Sequence, residues 1–132
     1  EKWAHDPLVM DQWFTIQVSR PQEDVLERVK YLMQHPAFSL KNPNKVRALI
    51  GAFAQNRVNF HRLDGQGYQL LADVVIELNR LNPEIAARLI TPLTRWQRFD
   101  ETRQVLMRSQ LERIRQQPLS SNVYEVVEKA LA

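Results

Sequence analysis

There is no cysteine in this sequence, which removes disulfides and thiolate metal ligands at once and fits a cytoplasmic protein. Only three glycines occur in 132 residues, and none sits in a phosphate-cradling loop. No apolar run approaches the ~18–20 residues of a membrane span. The N-terminus has no apolar stretch behind a basic start, so it does not read as a signal peptide. No block of five like charges appears either, and 18 basic against 15 acidic residues leave a net charge of only +3. That excess is too small to argue for nucleic acid or a membrane surface as partner.

What is present is helix-forming. Hydrophobic residues make up 44% and charged residues 25%, with Leu, Ala, Glu, Arg and Gln abundant. This is a globular composition long enough for one core. The chain opens on Glu1-Lys2-Trp3 rather than Met, with a large aromatic just ahead of a helix start, and therefore reads as a segment of a longer protein.

Asp6-Pro7 opens a first helix that is apolar on several sides through Leu8, Val9, Met10, Trp13, Phe14 and Ile16. Such a helix is expected to pack against more than one neighbour and, left uncovered, to self-associate. Ser19-Arg20-Pro21 starts a second helix with a one-sided stripe of Val25, Leu26, Val29, Leu32 and Met33, ended by His35-Pro36. A third runs from about Asn42 to Ala54. Residues 55–64 form the longest irregular stretch. Asp64-Gly65-Gln66-Gly67 turns into a fourth helix, followed at once by the Asn82 helix and a short one begun by Thr91-Pro92. Asp100 caps a long helix to about Gln117 with a stripe of Val105, Leu106, Leu111 and Ile114. Pro118 breaks it, and Ser120 or Asn122 caps the last. The expected architecture is all-α: about eight helices in an irregular superhelix of antiparallel hairpins, a HEAT/armadillo-like α-solenoid.

Two of these helices start alike. In Asn42-Pro43-Asn44-Lys45-Val46-Arg47 and Asn82-Pro83-Glu84-Ile85-Ala86-Ala87-Arg88, Asn can cap free N–H groups and Pro fits the first helical position. Each then places an arginine at the edge of a core-facing stripe, near a helix start that favours anions. Spacing alone leaves both as ordinary surface arginines.

Catalytic chemistry is absent from the pattern. His5, His35 and His61 lie far apart in no ligand spacing. The acidic pairs Glu23-Asp24 and Asp100-Glu101 sit in first helical turns, where the helix dipole explains them. Without further information, a helical scaffold binding a protein or nucleic-acid partner through a basic concave face is the competing reading.

Several blocks, in order, resemble the C-terminal end of the bacterial aminopeptidase N family, the zinc-dependent alanyl aminopeptidases of the gluzincin type. They are Trp3-Ala4-His5-Asp6-Pro7-Leu8-Val9-Met10-Asp11-Gln12-Trp13-Phe14, the run from Leu40 to Phe53 that holds Asn42-Pro43-Asn44 and Arg47, Phe60-His61, Asp64-Gly65-Gln66-Gly67-Tyr68, the run from Asn82 to Ile90, and Ala130-Leu131-Ala132. The resemblance covers essentially the whole chain, as part of the helical domain of a larger multidomain enzyme. It implies a parent hydrolase that removes N-terminal residues from peptides, with zinc held by an H-E-x-x-H helix and a Glu far upstream. This segment would itself carry no catalytic residue and no metal. It would cap the catalytic domain of the same chain and line the peptide chamber with Arg47 and Arg88, with Asn44 and Lys45 beside them. Phe60, His61 and Tyr68 belong to matching blocks and carry structural roles only.

Overall fold

The computed structural model describes residues 7–19, 25–36 and 38–131, the side chains of residues 7–10, 57 and 58 aside. The expected start of the second helix at Arg20-Pro21, His5, and the side chains of Leu8, Val9 and Met10 lie outside that set. Every regular element among the described residues is helical, as the pattern required. The chain divides into two compact units, Glu1–Phe60 and His61–Ala132.

The first unit holds α1 (Pro7–Val18), α2 (Val25–Leu32), α3 (Pro43–Val46), a π turn (Arg47–Gly51), α4 (Ala52–Ala54) and α5 (Arg57–Phe60). From α3 through α4 the backbone stays in the right-handed helical region, so these pieces form one rod. The stripe of α2 is buried as its spacing predicts, in Val25, Leu26, Val29 and Leu32, while Met33 falls just past the helix. It meets Phe14 and Val18 of α1 and Val46, Leu49, Ile50 and Phe53 of the rod in a common core. Aromatic edges fill the rest: Phe53 meets Phe60 at 6.0 Å and Phe14 meets Phe38 at 6.0 Å.

The π turn has its cause in α1. In an ordinary α-helix the Ala48 carbonyl would accept from the Ala52 N–H. Here that N–H donates to the Leu49 carbonyl, and the Thr15 hydroxyl of α1 donates to the Ala48 carbonyl at 2.9 Å. A side chain entering the ladder in this way is a recognised source of helix irregularity.

Residues 55–64 are less irregular than expected. The side-chain oxygen of buried Asn56 accepts from the Asn59 N–H at 3.2 Å and so starts the single turn of α5, while its amide donates to the Val18 carbonyl at 2.9 Å. Asn56 is a helix cap rather than a loop residue.

The second unit holds α6 (Gln66–Leu81), α7 (Pro83–Leu89), α8 (Thr91–Thr94), a 3-10 turn (Trp96–Arg98), α9 (Glu101–Arg115) and α10 (Ser121–Leu131). Helix α6 packs against α7 and α9, and α10 packs against the same two. The inner stripe of α9 is Met107, Leu111 and Ile114, spaced i, i+4 and i+7. Val105, expected inside, is 63% exposed, because two residues before Met107 the helix has turned about 200° away. Ser120, not Asn122, caps α10 by accepting from the Val123 N–H. Buried Asn79 of α6 fixes the α9–α10 connection from both sides: it donates to the Pro118 carbonyl (3.0 Å) and accepts from the Ser120 N–H (2.8 Å).

Candidate functional site

The two Asn-Pro starts form as their residues dictate. Asn42 accepts from the N–H groups of Asn44 (3.0 Å) and Lys45 (3.4 Å), and Asn82 accepts from the Ile85 N–H (3.3 Å), with Pro in the first turn of each helix. The capped turns then commit their inner faces. Lys45 and Val46 are buried in the first, Ile85 and Ala86 in the second.

The four sequence-predicted residues part company at this point. Arg47 and Asn44 are both exposed, and the structure brings them together: the Arg47 Nη2 donates to the Asn44 Oδ1 at 2.5 Å. Lys45 turns the opposite way. It is 5% exposed and its Nζ lies 2.6 Å from the Asp11 Oδ1 of α1, so it ties the rod to that helix. Arg88 stands in the other unit, exposed, with its Nη2 3.2 Å from the Glu84 Oε1 one turn earlier. The Glu84–Arg88 spacing is the helix pairing that a sequence shows directly. Asp11 and Thr15, which hold the Arg47 helix from α1, are more than thirty residues away from their partners and leave no local signal.

A further polar cluster gathers in the second unit. The His61 Nδ1 and the Tyr68 hydroxyl are 2.6 Å apart, and the Phe99 ring stacks on His61 at 4.5 Å. Arg103 donates from Nε to the His61 carbonyl (2.9 Å) and from Nη1 to the Asp100 Oδ1 (2.9 Å). Burial pushes the Tyr68 hydroxyl up to about 12, so it keeps its proton through the whole neutral range, and it can pair with either tautomer of the imidazole. The hydrogen bonds from Arg103 hold the Asp100 carboxyl below the usual carboxylate range, with partial desolvation opposing them. This cluster closes the Asp64-Gly65 turn onto α9. Gly65 has φ +76, and a Cβ there would meet the Leu106 side chain at 3.0 Å.

None of this offers a metal centre. Among the described residues, no three His, Asp or Glu side chains gather where a cation could sit. His35 lies against the rings of Trp13 (5.5 Å) and Phe14 (5.7 Å), and His61 is committed to Tyr68 and Phe99. The donor set of a zinc enzyme does not fit here. Also among the described residues, no helix is long and apolar enough to cross a membrane.

Comparison with known proteins gives these features a setting. Residues 1–132 match the family described as "Domain of unknown function (DUF3458_C) ARM repeats". ARM repeats are stacked helices, which is the all-α solenoid class expected from the sequence. The chain is 50% identical to the aminopeptidase N of Haemophilus influenzae over 133 residues and 47% identical to that of Escherichia coli over 134. These alignments take in 99% and 100% of the chain but only 15% of each relative. In structure it is similar to the aminopeptidase A of Legionella pneumophila, solved in complex with aspartic acid. The TM-score is 0.94 and the identity 44%, over 98% of this chain and 15% of that one. The chain thus spans about 15% of the length of the relatives it matches. Near-half identity along nearly the whole chain settles the family: the chain belongs to the aminopeptidase N family and corresponds to its C-terminal helical part.

Proposed function

We propose that this chain is the non-catalytic C-terminal module of a zinc-dependent cytoplasmic aminopeptidase, within a larger multidomain chain that removes N-terminal residues from peptides. It caps the catalytic domain and lines the peptide chamber with Arg47 and Arg88. Zinc would be held by the H-E-x-x-H domain upstream, and the hydrolytic step belongs there. The work of the helical module is to bind and orient the distal part of the peptide.

One observation carries this reading. Each arginine stands exposed on a helix whose opposite face is locked into a core by an Asn-Pro start. A guanidinium on such a support is a fixed fork of donors for a peptide carbonyl or carboxylate. Positioning of this kind raises reactivity without contact at the reacting centre. Asn44 joins the wall through Arg47, whereas Lys45, held inward by Asp11, serves as the anchor of the helix.

The test is made in the complete enzyme. Arg47→Ala or Arg88→Ala should lower kcat/KM for peptides of four or more residues by roughly tenfold, the scale of one charged hydrogen bond. Single-residue chromogenic substrates end before the chamber wall and should be spared. An unchanged ratio between the two substrate classes, with a lowered melting temperature, would return both residues to the scaffold. The 132-residue segment alone should turn over no alanyl chromogenic substrate with or without added zinc. Its α1, with Ile16 63% exposed and Trp13 half-buried, should pair copies of the isolated segment in sedimentation.

A further inference from the structure

Asp64 is followed by glycine, and this dipeptide stands at the turn into α6 with one residue holding both of its reactive groups. Gly65 has φ +76 and no Cβ, so its nitrogen is not screened by a side chain of its own. The Asp64 carboxylate is folded back along the same stretch of backbone, because its Oδ1 accepts the Gln66 N–H at 3.0 Å. Nitrogen and carboxyl are thereby neighbours in space as well as in sequence. Arg62 grips each of them. Its carbonyl accepts the Gly65 N–H at 3.0 Å, and its guanidinium Nη2 donates to the Asp64 Oδ2 at 2.8 Å. The turn is open to water, with the side chains of Arg62 and Asp64 33% and 39% exposed.

We propose that Asp64–Gly65 is a site of spontaneous aspartyl isomerisation, and that Arg62 is the clasp that keeps the reaction slow in the folded protein. The only co-reactant is water. In the first step the Gly65 nitrogen attacks the Cγ of the protonated Asp64 carboxyl. A new N–Cγ bond closes a succinimide ring, and the amide proton leaves with the carboxyl hydroxyl as water. Water then adds to one of the two ring carbonyls. Addition at Cγ restores the ordinary chain. Addition at the Asp64 backbone carbonyl breaks its bond to the Gly65 nitrogen, so the chain now runs through Cβ and Cγ and the former backbone carbonyl becomes a free carboxylate.

Arg62 restrains both partners of the first step. The carboxyl has to be attacked in its uncharged form, and a guanidinium at 2.8 Å favours the carboxylate. The Gly65 amide plane has to turn toward Cγ, and its hydrogen bond to the Arg62 carbonyl resists the turn. No other aspartate of the chain has an unscreened nitrogen after it. Asp11, Asp24, Asp73 and Asp100 precede Gln12, Val25, Val74 and Glu101, and Asp6 precedes Pro7, whose nitrogen has no proton to lose. The product matters to the fold because the extra main-chain methylene displaces the carboxyl that caps the Gln66 N–H. It also shifts the Gly65 carbonyl, which accepts the Gln69 N–H at 3.0 Å as α6 begins.

The test follows the tryptic peptide that contains Asp64 in the complete enzyme, incubated folded at neutral pH and, in parallel, unfolded in guanidinium. Isoaspartate has the mass of aspartate, so it is counted by the shifted elution of the peptide and by labelling with an isoaspartyl methyltransferase. In folded wild type, isoaspartate should build up at Asp64 ahead of every other aspartate of this segment. Arg62→Ala should speed it roughly tenfold, the scale of one charged hydrogen bond. Arg62→Lys, which keeps the charge, should fall between the two, and Arg62→Gln reports on the lost charge if the Ala variant does not fold. Unfolding opens the clasp, so wild type and variants should then react at one rate, faster than folded wild type. Isoaspartate appearing first at another aspartate of the segment overturns the site. A folded, charge-free variant that keeps pace with wild type overturns the clasp. So does the same acceleration by that variant in guanidinium, since the effect would then belong to the sequence and not to the fold.

Discussion

The helices that begin at Asn42 and Asn82 share a sequence device and diverge in everything that follows it. Three residues after each cap, the side chain turns inward: Lys45 in one helix, Ile85 in the other, at 5% and 8% exposure. Burial at this position is therefore dictated by the helix and not by the residue. Ile85 satisfies it with apolar surface alone, whereas Lys45 needs Asp11 of α1 to accept its charge. The second helix stops at Leu89 after seven residues. The first continues through a π turn because Thr15 of α1 supplies a hydroxyl to the Ala48 carbonyl. One helix is held by packing, the other by packing and two polar ties to the same neighbour.

The largest way to break that comparison is to cut the ion pair. Lys45→Met should destabilise the protein by about 3 kcal/mol, since it strands Asp11 in a partly buried site. Ile85→Ala should cost a similar amount, about 2–4 kcal/mol, by leaving a cavity. The two losses differ in how they are repaired. Adding Asp11→Leu to Lys45→Met should recover most of the stability in a denaturant titration, because apolar pairs of suitable volume often replace buried ions without loss. No recovery would mean that Asp11 serves another group.

The caps come next in size. Asn42 accepts two backbone N–H groups and Asn82 one. Asn42→Ala should then cost about 2 kcal/mol and Asn82→Ala about 1 kcal/mol by thermal melting, within the range measured for helix caps. Equal losses would show that the longer 3.4 Å contact to the Lys45 N–H contributes nothing.

Both caps were legible, and so were both prolines, the stripe of α2, the breaking prolines and the Gly65 turn, because each works within four residues of itself. The i, i+4 pair of Glu84 and Arg88 could also be read directly. What stayed hidden depends on a second element. Thr15 and Asp11 look like ordinary polar positions of an amphipathic helix until the rod is laid against them. Asn56 looked like a loop residue because its cap starts a helix of one turn. A sparse apolar pattern on an arginine-rich helix fits two registers, one of them with Val105 inside, and only packing against α6 and α10 chooses Met107. The identity of the site residues came from resemblance to a family. The partner of Lys45, which lies on another helix, came from the structure.

A histidine among aromatic rings occurs in each unit. His35 lies against the rings of Trp13 and Phe14, and His61 is hydrogen-bonded to the Tyr68 hydroxyl. The phenol of Tyr68 is raised from 10.0 to about 12 in the folded protein. A raised pKa means that the folded state holds the proton more tightly than the unfolded one. Its contribution is complete below pH 10 and is lost as pH climbs from 10 to 12. Tyr68→Phe should cost about 1 kcal/mol at neutral pH through the lost hydrogen bond, and it should flatten the fall in melting temperature across that alkaline window. A variant that melts with the wild-type pH profile would separate the Tyr68 proton from stability.

The smallest effect concerns the π turn itself. Gly51 closes it in helical backbone, with nothing within 4 Å of where a Cβ would stand. Gly65 has the opposite situation, a positive φ and Leu106 at 3.0 Å. Gly51→Ala removes unfolded-state freedom without creating a clash, so it should stabilise the protein by about 0.5 kcal/mol. The same change at Gly65 should destabilise it. A gain at Gly51 says that the π turn tolerates an ordinary helical residue at its end and that Thr15, rather than glycine, maintains it. Combining Gly51→Ala with Thr15→Val then tests the assignment. If the turn depends on the hydroxyl, the double variant should lose the gain along with the hydrogen bond, and the two effects will not add. Strict additivity would show that the hydroxyl and the end of the turn act independently.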